Sequence, residues 1–163
     1  MSPTIDQICG RFTELLGQAA AAAPQDGAAP AAGPVRRTDH SQKGCDLDVI
    51  VSPLQVAAAA EILDREGFGL DAVTGVDWLA QGEMEVVYDY FHPVAPLRVT
   101  IRARVPRAEP ELPTISAVFP GANWHERETH DFFGIRFLGH PNLTPLLLPE
   151  DADYHPLRKD YKP

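Results

Sequence analysis

The segment 122–135, ANWHERETHDFFGI, gathers His125, Glu126, Arg127, Glu128, His130 and Asp131, side chains that could bind a metal, move a proton or pair with an opposite charge. In zinc hydrolases, H-E-x-x-H puts two imidazoles at i and i+4 on one helical face, with the glutamate as general base. Here the histidines stand at i and i+5. On a helix that spacing separates them by about 140°, so one helix cannot offer both to one ion. His140 and His155 follow at no regular spacing. An independent hydrolase built on His125, Glu126 and His130 is therefore disfavoured, and no catalytic or metal-binding residue is assigned.

The same helix has an unusual polarity. At 100° per residue, Arg127, Asp131, Trp124, Glu128 and Phe132 fall within an arc of about 140°, so charges share a face with aromatic rings. A buried ion costs several kcal/mol unless paired, so these charges need partners. Arg127 and Asp131 can pair at i,i+4. Glu128 needs another donor, from Arg158, Lys159 or a cation on another chain. Two readings follow: an ion network that fixes the fold, or a helix at a subunit interface.

Other candidate chemistry is sparse. Cys9 and Cys45 are the two cysteines, and neither sits in a C-x-x-C pair. A cluster usually takes four thiolates, so no bound metal, flavin or iron–sulfur cluster is expected. In 97–105, Leu97, Val99, Ile101, Ala103 and Val105 alternate with Arg98, Thr100, Arg102 and Arg104. Those arginines could hold a small acidic ligand. Cross-strand neutralisation is the simpler account, with Asp89 opposite Arg98 and Glu85 opposite Arg102.

A formal charge of −9 over 163 residues argues against nucleic-acid binding, which needs clustered positive charge. No apolar run approaches the ~18 residues of a membrane-spanning helix. The N-terminus does not read as a secretory signal, so the cytoplasm is the expected compartment.

The elements that position these groups follow from periodicity. Residues 1–16 form an amphipathic helix in which Ile5, Ile8, Cys9, Phe12, Leu15 and Leu16 share a face. Residues 17–34, GQAAAAAPQDGAAPAAGP, have the composition of a linker. Removing 1–34 is therefore expected to leave the remaining domain, 35–137, folded. In that domain Asp46–Val51 reads as a strand, and Ser52, Pro53 and Gln55 start a helix that Gly67 stops. Strands follow at Leu70–Val76, Met84–Phe91 and Leu97–Val105, and the charged helix ends at Gly134. Residues 138–163 are broken by prolines and read as an irregular extension laid along another surface. The fold class is α+β, two-layered, with a mostly antiparallel sheet and helices packed on one face.

Several motifs in fixed order then carry a resemblance. Trp124-His-Glu-Arg-Glu-Thr-His-Asp-Phe-Phe-Gly-Ile135, Gly139-His140-Pro141, Leu147-Leu148-Pro149-Glu150-Asp151 and His155-Pro-Leu-Arg-Lys-Asp-Tyr161 closely resemble the signature of the NuoC-like family, the 30 kDa subunit family of NADH:quinone oxidoreductase. The resemblance covers about residues 118–162; the strands and helix before it agree with the family's α+β domain only in pattern, and residues 1–45 carry no resemblance. His130 stands where a tyrosine or another aromatic is more usual in the family. The resemblance implies a non-catalytic subunit of the peripheral arm of a complex I-like assembly, on the cytoplasmic side of the membrane. Its implied partners are the large catalytic or quinone-site subunit and small iron–sulfur subunits. Any iron–sulfur clusters belong to the complex, not to this chain. Membrane-bound energy-converting hydrogenases and formate hydrogenlyase-type complexes use subunits of the same family. The residues expected at the partner interface are Trp124, Arg127, Glu128, Asp131, His140, Pro156, Leu157, Arg158, Lys159, Asp160 and Tyr161.

Overall fold

A computed structural model describes residues 3–20 and 34–162. Period-two alternation builds its centre. Strands β2 (Leu47–Val51), β3 (Gly69–Trp78), β4 (Glu83–Phe91) and β5 (Arg98–Pro106), with the short β1 (Val35–Arg37), form one sheet in the order β1-β2-β5-β4-β3. Within it only β2 and β5 run parallel; every other neighbouring pair is antiparallel. Leu47, Val49 and Val51 share a face with Val99, Ile101, Ala103 and Val105, and with Met84, Val86, Tyr88 and Tyr90. All of these are buried.

The opposite face carries the arginines, neutralised as the alternation predicts but in another register. Glu85 stands opposite Arg104 and Asp89 opposite Thr100, a shift of two residues from the expected pairing. The physical reason is the turn. The His92 ring nitrogen Nδ1 accepts the N–H groups of Val94 and Ala95 at 3.1 and 2.8 Å, and the His92 N–H donates to Leu97 O, closing a longer loop. A shift of two preserves the faces, so the charge matching survives. Arg104 pairs with Glu83 and Glu85, Arg102 with Asp48, and Arg98 with Asp71.

Helices cover the apolar face. Gln55 Oε1 accepts the Ser52 N–H and hydroxyl at 3.0 and 2.8 Å, and a 3-10 turn at Pro53–Gln55 leads into α3 (Val56–Arg65). Its stripe of Val56, Ala59, Ala60 and Leu63 is buried, as expected. Gly67, at φ +82°, lets the Phe68 N–H turn back to Leu63 O at 2.9 Å. A one-turn helix, α2 (His40–Lys43), precedes β2.

The N-terminal helix departs from expectation. α1 spans Ile5–Ala20, four residues beyond the expected end, because Ala19 and Ala20 continue a helix readily. It is not a loosely tethered appendage. Ile8 and Phe12 are fully buried in the main core, and Gln55 Nε2 donates to Leu15 O at 3.3 Å. The Arg11–Glu66 and Arg37–Asp6 pairs flank the seam. Burying a side chain such as Phe12 contributes about 1.5–3 kcal/mol, so α1 is part of the domain. Most of the expected linker, 21–33, lies outside the described residues.

Candidate protein–protein interface

Helix α4 (Ala122–Phe133) begins after the Pro120-Gly121 turn and ends at Gly134, whose φ of +72° suits a C-terminal cap. It lies against β3, the strand at the sheet edge. Gly75 makes the approach possible: a Cβ there would stand 2.5 Å from Phe133 Cδ2. Thr129 Oγ1 donates to Val73 O at 3.4 Å.

The stripe of α4 turned to the core is Ala122, Glu126 and Thr129, all buried, with Phe133 partly buried in line with them, and the four lie within about 60° on the helix. The sequence offers Glu126 only as a hydrolase base. It is instead wholly buried, accepting the Thr114 hydroxyl at 2.5 Å and the Ile115 N–H at 2.8 Å. His140 Nε2 lies 3.8 Å from this carboxyl, but hydrogen-bonds to Asn123 O at 3.2 Å, while Nδ1 accepts the Asn142 N–H. The tautomer with its proton on Nε2 satisfies both contacts. Burial pushes the Glu126 carboxyl up to about 7, against the lowering effect of its two hydrogen bonds. Tyr88, buried with its hydroxyl lacking a hydrogen-bond partner among the described residues, and Tyr90 lie close enough to feel its charge.

Beyond β7 (Arg136–Leu138), which pairs in parallel with β6 (Glu111–Pro113), the chain is irregular, as expected. It is nevertheless fastened to its own domain. Asp131 does not pair with Arg127. Its Oδ2 accepts the consecutive N–H groups of Leu146, Leu147 and Leu148 at 2.8, 2.7 and 3.2 Å. Burial alone would raise this carboxyl, but the three N–H donors outweigh it and hold it below the usual carboxylate range. Arg127 donates to Thr144 O and Pro145 O and lies over the Trp124 ring.

The end of the tail closes the helix. His155 Nδ1 hydrogen-bonds to Asp131 O at 2.8 Å, the Leu157 N–H donates to Phe132 O, and Arg158 Nε donates to Phe133 O at 2.7 Å. Carbonyls that a helix leaves unpaired at its C-terminus thus find partners from the His155–Arg158 segment. Further on, the Lys159 N–H donates to Asp77 Oδ2 at 2.9 Å, and Arg107 bridges Asp77 and Asp160. Arg158 and Asp160, expected to face a partner, are engaged within the fold. The sequence could not show this, because their partners are backbone groups and side chains far along the chain.

Of the expected interface residues, Trp124, Glu128, Leu157, Lys159 and Asp160 are exposed. Arg127, Pro156, Arg158 and Tyr161 are half-buried, with Tyr161 stacked on Tyr154. Asp131 and the His140 side chain are inside. Glu128 is not the buried ion the helical wheel suggests; it has no ion-pair or hydrogen-bond partner among the described residues. Trp124, at 60% exposure, and Leu157, at 54%, are large for surface positions. Trp124 and Glu128 stand one turn apart on the exposed side of α4, and Leu157 lies in the tail at the other end of the helix.

The histidines do not converge: His130 Nδ1 contacts Ile135 O at 2.9 Å, while His125 lines a cleft beside β3. Among the described residues no group of three or more His, Cys, Asp or Glu is arranged to hold a metal. No described helix is long and apolar enough to cross a membrane.

Comparison with known proteins agrees with the motifs. The family model described as the respiratory-chain NADH dehydrogenase 30 kDa subunit matches residues 49–163. An NADH-quinone oxidoreductase subunit of Roseiflexus sp. (strain RS-1) is 41% identical over 121 residues, covering 71% of this chain and 69% of that protein. An F420H2 dehydrogenase subunit of Methanosarcina mazei is 45% identical over 97 residues, 57% of this chain and 60% of its own length. A chain of the membrane-bound sulfane sulfur reductase, an archaeal respiratory membrane complex, superposes with a TM-score of 0.65 at 25% identity, over 93% of this chain and 86% of that one. The aligned core thus leaves part of each relative's length unmatched. With the motifs of α4 and its tail and the matched sheet, the chain belongs to the family of the respiratory-chain NADH dehydrogenase 30 kDa subunit.

Proposed function

We propose that the chain is a non-catalytic structural subunit in the peripheral arm of a complex I-like oxidoreductase. In this reading it joins the large catalytic or quinone-site subunit to small iron–sulfur subunits on the cytoplasmic side of the membrane. The observation that carries it is the outer face of α4, where exposed Trp124 stands beside Glu128, which has no partner among the described residues, while the same helix is held by the tail. A rigid helix with an exposed aromatic anchor is a docking element, and an unpaired charge beside it is held in reserve for a partner.

A second reading is supported by the range of relatives. Similar subunits occur in F420H2 dehydrogenase and in a sulfane sulfur reductase complex, so the same scaffold serves different electron donors and acceptors. An equivalent place in a membrane-bound energy-converting hydrogenase or formate hydrogenlyase-type complex fits the same geometry. Tagging the chain in its native cells and identifying the co-purifying subunits distinguishes the two. Quinone-reductase subunits support the first reading, hydrogenase subunits the second, and a solitary protein neither.

A further inference from the structure

Between the edge strand β3 and α4 lies a cleft of about 390 Å³ lined by Val73, Gly75, His125, Glu128, Phe132 and Leu157 among others. Its floor is backbone. β3 ends the sheet, and the bond from Thr129 to Val73 O shows which residues turn their polar groups away from β4. Val73 and Gly75 have that orientation, so their carbonyls face away from β4, and among the described residues Val73 O accepts only the Thr129 hydroxyl there, leaving lone pairs for another donor. The walls are the Phe132 and Phe133 rings and the half-exposed Leu157. At the rim stands Glu128, exposed and without a partner among the described residues.

We propose that this cleft receives one arginine or lysine side chain from a neighbouring subunit. The inference rests on the subunit reading above and names the chemistry of the contact. A long basic side chain is apolar along its stem and cationic at its tip. The stem fits against Phe132 and Leu157, and the tip reaches the carbonyl floor and the Glu128 carboxylate. An acidic side chain would meet Glu128 and the carbonyl oxygens with like charge. A purely apolar one would bury Glu128 without compensation. The chain's net charge of −9 favours the approach of a basic surface. The segment 21–33 of the chain itself contains no lysine or arginine and cannot supply the occupant.

The test uses the full chain in its native cells. Leu157 is replaced by a photo-crosslinking amino acid with Glu128 intact, and the captured peptide is identified. Separately, Glu128→Gln and Glu128→Lys chains are scored for retention in the purified complex after a salt wash. Crosslinking to a partner segment containing Arg or Lys is expected, with retention of the Glu128→Lys chain reduced about tenfold and that of Glu128→Gln by less. Changing the captured basic residue to Glu should restore retention of Glu128→Lys. The melting temperature of the isolated variants should match wild type, because the Glu128 side chain is exposed and makes no hydrogen bond or ion pair among the described residues. Crosslinking to a segment lacking Arg and Lys, crosslinking to residues 21–33, or unchanged retention of Glu128→Lys overturns the cleft assignment while the subunit reading stands. A wild-type chain that purifies alone overturns the subunit reading instead.

Discussion

Arg107 grips Asp77 through two hydrogen bonds, Nε to Oδ1 at 2.9 Å and Nη2 to Oδ2 at 3.2 Å, and with its remaining reach pairs with Asp160 of the tail. Asp77 is only 2% exposed. Burial alone would raise its carboxyl, but Arg107, the Lys159 N–H and the nearby Arg158 charge outweigh burial and hold it below 3.8. The pair therefore ties the last residues of the chain to the edge of the sheet.

Removing one partner of a buried ion pair leaves the other uncompensated, at a cost of about 3–5 kcal/mol. Arg107 is partly exposed, so Arg107→Ala should destabilise the isolated domain by about 3 kcal/mol in urea titration. The Asp77 contribution is present above its unfolded value of 3.8 and is lost as pH falls through its lower folded value. Arg107→Ala should therefore flatten the acid limb of the stability curve. A change below about 0.5 kcal/mol, as at an ordinary surface position, would contradict the account.

Arg158→Ala removes the bond to Phe133 O and the packing of the guanidinium beside Gly134. A hydrogen bond from a charged donor is worth about 1.5–3 kcal/mol. The isolated subunit should lose about that much stability, and amide exchange should quicken at the end of α4 and in residues 155–161. An unchanged melt and unchanged exchange would instead assign Arg158 wholly to a partner, as the sequence alone suggests.

How much was legible depended on the range of the interaction. The ends of α4 followed from Pro120-Gly121 and Gly134, and the faces of β4 and β5 from alternation alone. Register was off by two because it depends on the ring of His92 in the turn, which a pattern of apolar residues does not encode. The wheel of α4 gathered Trp124 and its charges on one face and left open whether that face meets an ion network or a partner, but it did not pick out the buried stripe, which centres on Glu126. That stripe was readable from the small residues Ala122 and Thr129 on its face. Its tolerance of a carboxyl was not, since Thr114 and Ile115 lie in another segment. Likewise the capping of α4 by His155, Leu157 and Arg158 joins residues too distant for local reasoning.

Glu126 gives a pH dependence of the opposite sign. Its carboxyl rises from 4.5 in the unfolded chain to about 7 in the fold, so the folded state binds the extra proton. The stabilisation is fully present below 4.5 and is lost as pH rises through 7. A shift of this size is worth about 3 kcal/mol. Denaturant titrations from pH 5 to 8 should show the decline in wild type, and Glu126→Gln, which keeps the shape and a hydrogen-bonding side chain, should remove it. Parallel curves for the two proteins would refute the assignment.

Phe12 is wholly buried, although it belongs to a helix separated from the rest by an alanine- and proline-rich stretch. Phe12→Ala should cost about 3–5 kcal/mol, the range for emptying a buried aromatic site. Deleting residues 1–34 should likewise lower the melting temperature sharply. Unaltered cooperative unfolding of the truncated chain would restore the view that α1 is a detachable arm.

The most direct test of the central claim is the composition of what the native chain carries with it. The tagged full-length protein is purified from its own membranes under mild detergent and its partners are identified and counted. The account predicts a fixed stoichiometry with quinone-site and iron–sulfur subunits of a complex I-like oxidoreductase, and no chromophore on the separated chain. A solitary chain, or a separated chain that reduces quinone by itself, would contradict it.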